Sequence, residues 1–171
     1  MNRNIELKAK ATNFAKQKEI ARKMSDSAQE TLIQEDTFFI AKNGRLKLRK
    51  FSEHSGELIF YKRANLNEAK TSQYKIVATD SPDLLKETLS MALSVRGIVK
   101  KTRYLFISGQ TRIHLDSVEN LGEYIEFEYV LKDGESKEVG KKTLKELQDK
   151  LLIKTDDLVS HAYIDLLLSH Q

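Results

Sequence analysis

The chain contains no cysteine and no tryptophan, and it has one proline and seven glycines. Without thiols it can form neither a disulfide nor a thiolate metal site, so any metal chemistry must use oxygen and nitrogen donors. So little proline and glycine excludes a Pro/Gly-rich linker. No stretch approaches the ~20 apolar residues of a membrane-spanning helix. The N-terminal residues also lack the apolar run of a secretory signal. A cytoplasmic, membrane-free protein is therefore expected. The four histidines, His54, His114, His161 and His170, show no zinc-site spacing. The G-x-x-x-x-G-K-[ST], G-x-G-x-x-G and G-x-S-x-G signatures are missing too, which removes the usual phosphate-loop, dinucleotide and serine-hydrolase readings.

What remains is a chain of 171 residues, 40% hydrophobic and 32% charged, with a net charge of +4. That is enough to bury the core of one domain, expected to span residues 1–171. The small basic excess matters less than where the cations sit.

They sit on alternating strands. "RNIELKAK" (3–10) places Asn4, Glu6, Lys8 and Lys10 on one face and Ile5, Leu7 and Ala9 on the other, the period of a strand with one apolar side. A helix-spaced segment follows around Phe14, Ile20 and Met24. "TLIQEDTFFIA" reads as a strand, and Asn43-Gly44 turns the chain into "RLKLRKF", a hairpin signal. Strands are expected at 57–64 and 72–79, and a helix opens at Ser81-Pro82. "IVKKTRYLFI", "QTRIHLDSV" and "GEYIEFEYVL" give three more strands, with turns at Ser108-Gly109 and at 120–122. Two amphipathic helices are expected near 138–151 and 156–168. About eight strands joined mostly by short turns, with helices grouped at the ends, can close into an antiparallel barrel of the α+β class.

The charge pattern favours closure. Arg45, Lys47 and Arg49 share one face; Lys62 falls with Leu58 and Phe60, opposite Arg63; Lys101 goes with Arg103, Arg112 with His114 and Asp116, and Tyr124 with Glu126 and Glu128. An ordinary half-solvated sheet would explain any one of these. Recurrence on strand after strand, with carboxylates returning to balance the cations and little Ser, Thr or Gln between them, points to a polar barrel interior. Cations there would hold a polyanion, and carboxylates a hard divalent ion. Buried charge must be paired or ligated. His114 reads as a wall residue and Tyr163 as a helix-packing residue.

With those residues in place, the chain resembles the CYTH superfamily, the triphosphate tunnel metalloenzymes, in "NIELKAK", "DTFF…NGRLKLR", "GELIFYKR", "VKKTR", "GQTRIHLDSVENLGEYIEFE" and "AYIDLLL". The resemblance implies an eight-stranded antiparallel tunnel with flanking helices, holding a triphosphate and Mg²⁺ or Mn²⁺. By position, it implies that Lys8, Lys10, Arg45, Lys47, Arg49, Lys62, Arg103 and Arg112 bind substrate, with Lys8, Lys47, Arg49 and Arg112 catalytic. It places Glu6, Asp116, Glu126 and Glu128 on the metal side and makes Lys75 and Lys142 additional candidates. Asn4 departs from it, standing where the family motif has its first acid.

The favoured activity is hydrolysis of tripolyphosphate, thiamine triphosphate or another organic triphosphate such as ATP, since hydrolysis needs no nucleoside pocket and nothing in the sequence identifies one. Class IV adenylyl cyclase activity is the alternative, because the same clamp serves both. A non-catalytic polyphosphate or nucleotide module comes second, although it would have no use for the carboxylates. An RNA-binding barrel would expose aromatics beside its cations. Phe38, Phe39, Phe51, Phe60, Phe106 and Phe127 fall instead on apolar faces or at strand ends. Nucleic acid is therefore not the expected partner, and a monomer or homodimer is.

Overall fold

The computed structural model describes residues 2–63 and 70–169. Its eight strands are β1 (Asn2–Lys10), β2 (Glu30–Phe39), β3 (Arg45–Ser52), β4 (Ser55–Arg63), β5 (Lys70–Thr79), β6 (Val95–Ser108), β7 (Thr111–Val118) and β8 (Gly122–Val130). They pair antiparallel in the closed order β1-β5-β4-β3-β2-β6-β7-β8. The expected α+β barrel is therefore the fold. Closure removes the unpaired strand edges that an open sheet would leave. The helices are α1 (Phe14–Met24), α2 (Pro82–Leu93), α3 (Lys137–Lys150) and α4 (Tyr163–Ser169), with a 3-10 turn at Thr155–Asp157.

Three expectations need correction. The helix expected near 156–168 is broken into that 3-10 turn and the short α4. The hairpin expected at Asn43-Gly44 forms, β2 pairing antiparallel with β3, but its link spans residues 40–44, with Gly44 at φ +67° and Asn43 not in the left-handed region, so it is longer than a two-residue turn. Val95–Ser108 makes β6 longer than "IVKKTRYLFI". Residue 64, the end of the expected fourth strand, and His170 lie outside the described residues, as does the side chain of Arg63.

The main apolar core lies outside the barrel wall, because the polar rows of the strands point inward. Ile5, Leu7 and Ala9 of β1 join Ile113 and Leu115 of β7 and Ile125 and Phe127 of β8 on the outer face. Ala21 of α1 and Leu144 and Leu147 of α3 pack onto them. Each of these strands thus buries one apolar row under helices and reserves the other for the lumen. A second cluster forms at one barrel end, where Ala162, Tyr163 and Ile164 meet Phe38, Val99, Val118 and Tyr124. There the chain closes the barrel.

The docking of α3 depends on Gly140. A Cβ at that position would stand 2.8 Å from Cγ1 of Ile5 and 3.0 Å from Cδ1 of Tyr129, so the helix lies against the wall with no room for a side chain. Gly140→Val is expected to destabilise the fold by about 1–3 kcal/mol through overpacking. The readout is the urea midpoint, and an unchanged midpoint would mean that α3 can lift from β1 and β8 without loss.

Candidate functional site

The inward rows of the strands surround a cavity of about 220 Å³ inside the barrel, with Ala162 and Tyr163 at the capped end. At the other end Arg112 is exposed and Ile76 is 47% exposed, although both line the cavity. The lumen is therefore open there.

Two buried carboxylates organise the cations. Asp36 of β2 accepts from Nε and Nη2 of Arg49, both at 2.7 Å, and from Nζ of Lys47 at 2.9 Å. Asp116 of β7, 0% exposed, accepts from Nε and Nη2 of Arg103 at 2.8 and 2.7 Å, and from the Tyr163 hydroxyl at 2.8 Å. Register makes both sets: Asp36 pairs with Arg49 across β2 and β3, and Asp116 with Arg103 across β7 and β6. These are bidentate, charge-assisted contacts. They leave Nη1 of each arginine without a hydrogen bond among the described residues, available to a phosphate oxygen. Burial pushes the Asp36 carboxyl up, but Arg49, Lys47 and Lys101 outweigh it and hold it well below the usual carboxylate range. Asp116 is likewise lowered, by Arg103 and Lys101 against burial.

Lys101 stands between the two carboxylates with Nζ 3.8 Å from each and no hydrogen bond among the described residues. Burial, then Arg103, lowers its ammonium well below the ordinary lysine range. Lys8 lies 3.5 Å from Glu126 and 4.0 Å over the Tyr163 ring, and its Nζ donates to the His161 carbonyl at 3.4 Å. Tyr163 thus anchors the cap through its hydroxyl and presents its face to Lys8.

Toward the mouth the wall turns acidic. Glu6 pairs in register with Glu128, Lys8 with Glu126, and His114 with Glu126. Donor atoms of His114, Glu126 and Glu128 all lie within 4.8 Å of one another, with His114 Nδ1 3.9 Å from Glu126 and Nε2 4.0 Å from Glu128. These gaps are too long for hydrogen bonds. An imidazole ligates one ion through one nitrogen, so one of the two gaps can serve as a ligand–ligand spacing, and either lies within the up to ~4.2 Å between ligand atoms around a small divalent cation with ~2.1 Å bonds. Both ring nitrogens of His114 are buried without partners. Burial and then Arg103 hold its pKa well below the usual imidazole value, so it stays neutral, the form that ligates metal. Burial, Glu126 and Glu6 push Glu128 up to about 7. A cluster that must hold protons because its anions crowd together, beside an orphaned neutral imidazole, fits a divalent cation.

The residues picked from the sequence divide between these places. Glu6, Lys8, Lys47, Arg49, Arg103, Arg112, Glu126 and Glu128 come together around the cavity. Asp116, expected on the metal side, has both of its oxygens taken by Arg103 and Tyr163. Arg45 lies beyond the cap, where Asp165 of α4 accepts from its two terminal nitrogens at 3.1 and 2.7 Å. Lys10 is exposed at the end of β1. Lys62 is exposed too, because the inward row of β4 is Glu57, Ile59 and Tyr61. Lys75 is exposed beside an inward row of Ser72, Tyr74 and Ile76, and Lys142 is exposed on α3. Asp36, Lys101 and Gln34, which are not among the residues expected from the sequence, also line the cavity, each two residues from an inward neighbour. Asn4 is buried, with Oδ1 unpartnered.

The sequence model of the CYTH domain matches residues 2–163. The chain belongs to the CYTH family. This is a metal-dependent family of triphosphate-tunnel enzymes. No match was found among curated proteins. Similar solved structures include the PH1012 protein of Pyrococcus horikoshii OT3, with 22% identity and a TM-score of 0.83 over 95% of this chain and 98% of that one. A proposed adenylate cyclase of Vibrio parahaemolyticus has 20% identity and a TM-score of 0.77 over 96% and 97% of the two chains. HpAC1 of Hippeastrum, a proposed adenylyl cyclase described as having dominant triphosphatase activity, has 13% identity and a TM-score of 0.67 over 100% and 97%. At these identities the likeness is one of fold.

The Asp116 network gives a stability test for this CYTH protein. Asp116→Asn would leave Arg103 buried beside a neutral group, at a cost of roughly 3–5 kcal/mol at neutral pH. Because the folded pKa lies below the unfolded one, this stability is fully present above about pH 4 and is lost as pH falls toward the folded value. The gap between wild type and variant should therefore narrow below about pH 4. A gap that is constant between neutral and strongly acidic pH would mean that the Asp116 charge is not its source.

Proposed function

We propose that this protein hydrolyses a triphosphate inside the barrel with the help of a divalent metal ion. The observation that carries the reading is the meeting, in one buried lumen, of arginines with spare N–H groups and the His114–Glu126–Glu128 cluster. Phosphoryl transfer needs little covalent help; it needs the chain of phosphates held in line and the developing charge neutralised. Arg49 and Arg103 are fixed by Asp36 and Asp116 before any ligand arrives, so their free edges need no reorganisation to meet phosphate oxygens. Lys8, Lys47 and Lys101 add ammonium groups around the same space, and Arg112 meets the ligand at the mouth. Mg²⁺ or Mn²⁺ held by Glu126, Glu128 and His114, with Glu6 adjacent, would supply Lewis-acid neutralisation of phosphoryl charge.

The deciding experiment incubates purified protein with tripolyphosphate, thiamine triphosphate and ATP, each with Mg²⁺ and Mn²⁺, and measures phosphate, pyrophosphate and cyclic AMP separately. Orthophosphate release that stops in excess EDTA is expected. Equal pyrophosphate and cyclic AMP from ATP would make the protein a cyclase, and binding without any product would make it a non-catalytic module.

Two substitutions probe the clamp. Arg49→Ala is expected to weaken triphosphate binding by about 2 kcal/mol or more, since a charge-assisted contact in a dry site is lost. Wild-type affinity in calorimetry would remove Arg49 from the clamp. Lys101→Met should behave differently from the arginine pairs. Its ammonium is buried without a hydrogen bond, so its removal relieves a desolvation cost and leaves Asp36 and Asp116 still paired. Thermal stability equal to or above wild type is expected, together with about tenfold or greater loss of triphosphate affinity. A marked drop in melting temperature would show Lys101 to be a structural counter-ion instead.

A further inference from the structure

The ammonium of Lys101 is held apart from two carboxylates that it nearly reaches. Its Nζ lies 3.8 Å from Oδ2 of Asp36 and 3.8 Å from Oδ2 of Asp116, about 1 Å beyond a charge-assisted hydrogen bond. The occupancy of those two oxygens accounts for the gap. A carboxylate oxygen offers two lone pairs. Oδ2 of Asp36 already accepts from Arg49 Nη2 at 2.7 Å and from Lys47 Nζ at 2.9 Å. Oδ2 of Asp116 already accepts from Arg103 Nη2 at 2.7 Å and from the Tyr163 hydroxyl at 2.8 Å. Both oxygens are full, so Lys101 feels each carboxylate only through space.

Three of these four donors are cations of the lumen. The fourth, Tyr163, is neutral and comes from the capping helix, and its place is set from the far side of the cap. Asp165, two residues on, accepts from Arg45 at 3.1 and 2.7 Å and from Arg96 at 2.9 Å. Ile164 fills the space that Gly97 leaves, where a Cβ would stand 2.5 Å from its Cδ1. Ion pairs and packing outside the lumen thus bring the hydroxyl to Asp116. Burial, and then Asp116, push that hydroxyl well above the ordinary phenol range, so it stays a donor. The Tyr163 ring centroid also lies 5.1 Å from Lys101 Nζ, within reach of a cation–π contact.

We propose that Tyr163 is a positioning residue: its hydroxyl fills the last acceptor place on Asp116 Oδ2 and thereby keeps the Lys101 ammonium free to meet phosphate. This rests on the triphosphate reading above and deepens it. Without the hydroxyl, the vacant lone pair lies a shift of about 1 Å from Lys101. The ammonium then closes on Asp116 and is withdrawn from the ligand. Arg45, which touches no ligand from beyond the cap, acts in the same chain of contacts by holding α4 in place.

Tyr163→Phe isolates the hydroxyl, because phenylalanine keeps the ring against Lys8 and Lys101. The experiment is a double-mutant cycle with Lys101→Met, read as tripolyphosphate affinity by calorimetry and as melting temperature without ligand. With Lys101 present, Tyr163→Phe should weaken tripolyphosphate binding about fivefold or more, and should barely move the melting temperature, because the ammonium replaces the hydroxyl on Asp116. In the Lys101→Met background the pattern reverses. Affinity, already low, should change by less than about twofold, and the melting temperature should fall, because no donor is left for the vacant place. A role in packing alone gives equal losses in both backgrounds. Such additivity, wild-type affinity in Tyr163→Phe, or a marked drop in its melting temperature with Lys101 present would overturn the proposal while leaving the triphosphate reading intact. Wild-type protein that binds no tripolyphosphate would overturn that reading, and with it the use given to the free ammonium.

Discussion

Everything in the lumen depends on two carboxylates buried among cations. Asp36 holds Arg49 and Lys47, and Asp116 holds Arg103 and the Tyr163 hydroxyl. Two unit charges 4 Å apart interact by about 4 kcal/mol at an effective dielectric near 20, against about 1 in water. Desolvation offsets much of this, and a buried pair is therefore weak evidence of stability in itself. What these pairs do secure is position. Each arginine is gripped along one edge by a partner on the adjacent strand, so its direction is fixed by barrel register. Tyr163 extends the same network into α4, and the helix that caps the barrel is thus tied to the charges inside it.

A polar interior forces the rest of the architecture. A small barrel normally fills its inside with side chains and needs little else. Here the inward rows are charged, so the apolar rows face out and must be covered. The covering comes from α1 and α3 over β1, β7 and β8, against Ile5, Ile113, Phe127 and their neighbours. That division explains why β1, β7 and β8 alternate so cleanly in sequence. It also explains Gly140, where the covering helix touches the wall with no side chain between them.

Legibility followed the same division. Strands with one charged and one apolar row, such as "NIELKAK" and "TRIHLD", announce both their period and which side faces the lumen, and the barrel and most of its lining follow from them. β4 does not: Leu58 and Phe60 alternate with Ile59 and Tyr61, both rows are apolar, and only the pairing of Lys47 with Ile59 and Arg49 with Glu57 decides the inward side. Lys62 shares the row of Leu58 and Phe60, and that row faces outward. Arg45 shares the face of Lys47 and Arg49, and no local pattern says that a helix 120 residues later will take its guanidinium. For Asp116, the sequence shows a carboxylate near other carboxylates, whereas the cross-strand register hands it to Arg103. Asp36 and Lys101 were legible by alternation. They gain their meaning only when β2 and β6 are seen to be neighbours, a long-range pairing that the residues themselves do not encode.

The charges of the lumen constrain what it can accept. Among the described residues the cations are Lys8, Lys47, Arg49, Lys101, Arg103 and Arg112. The acids that face or underlie the same space are Glu6, Asp36, Glu57, Asp116, Glu126 and Glu128. Six stand against six, and with every group ionised the lumen is formally neutral. A polyanion drawn into a neutral, partly desolvated space gains local contacts at Arg49 and Arg103 but meets no net attraction, and it must approach Glu126 and Glu128. Charge has to enter with it, as protons on carboxylates such as Glu128, already pushed up to about 7, or as a cation on the acidic cluster. On the proposed function, the arrangement that holds the arginines so firmly would therefore couple triphosphate binding to the uptake of positive charge. A lumen lined by cations alone would grip phosphate without that requirement.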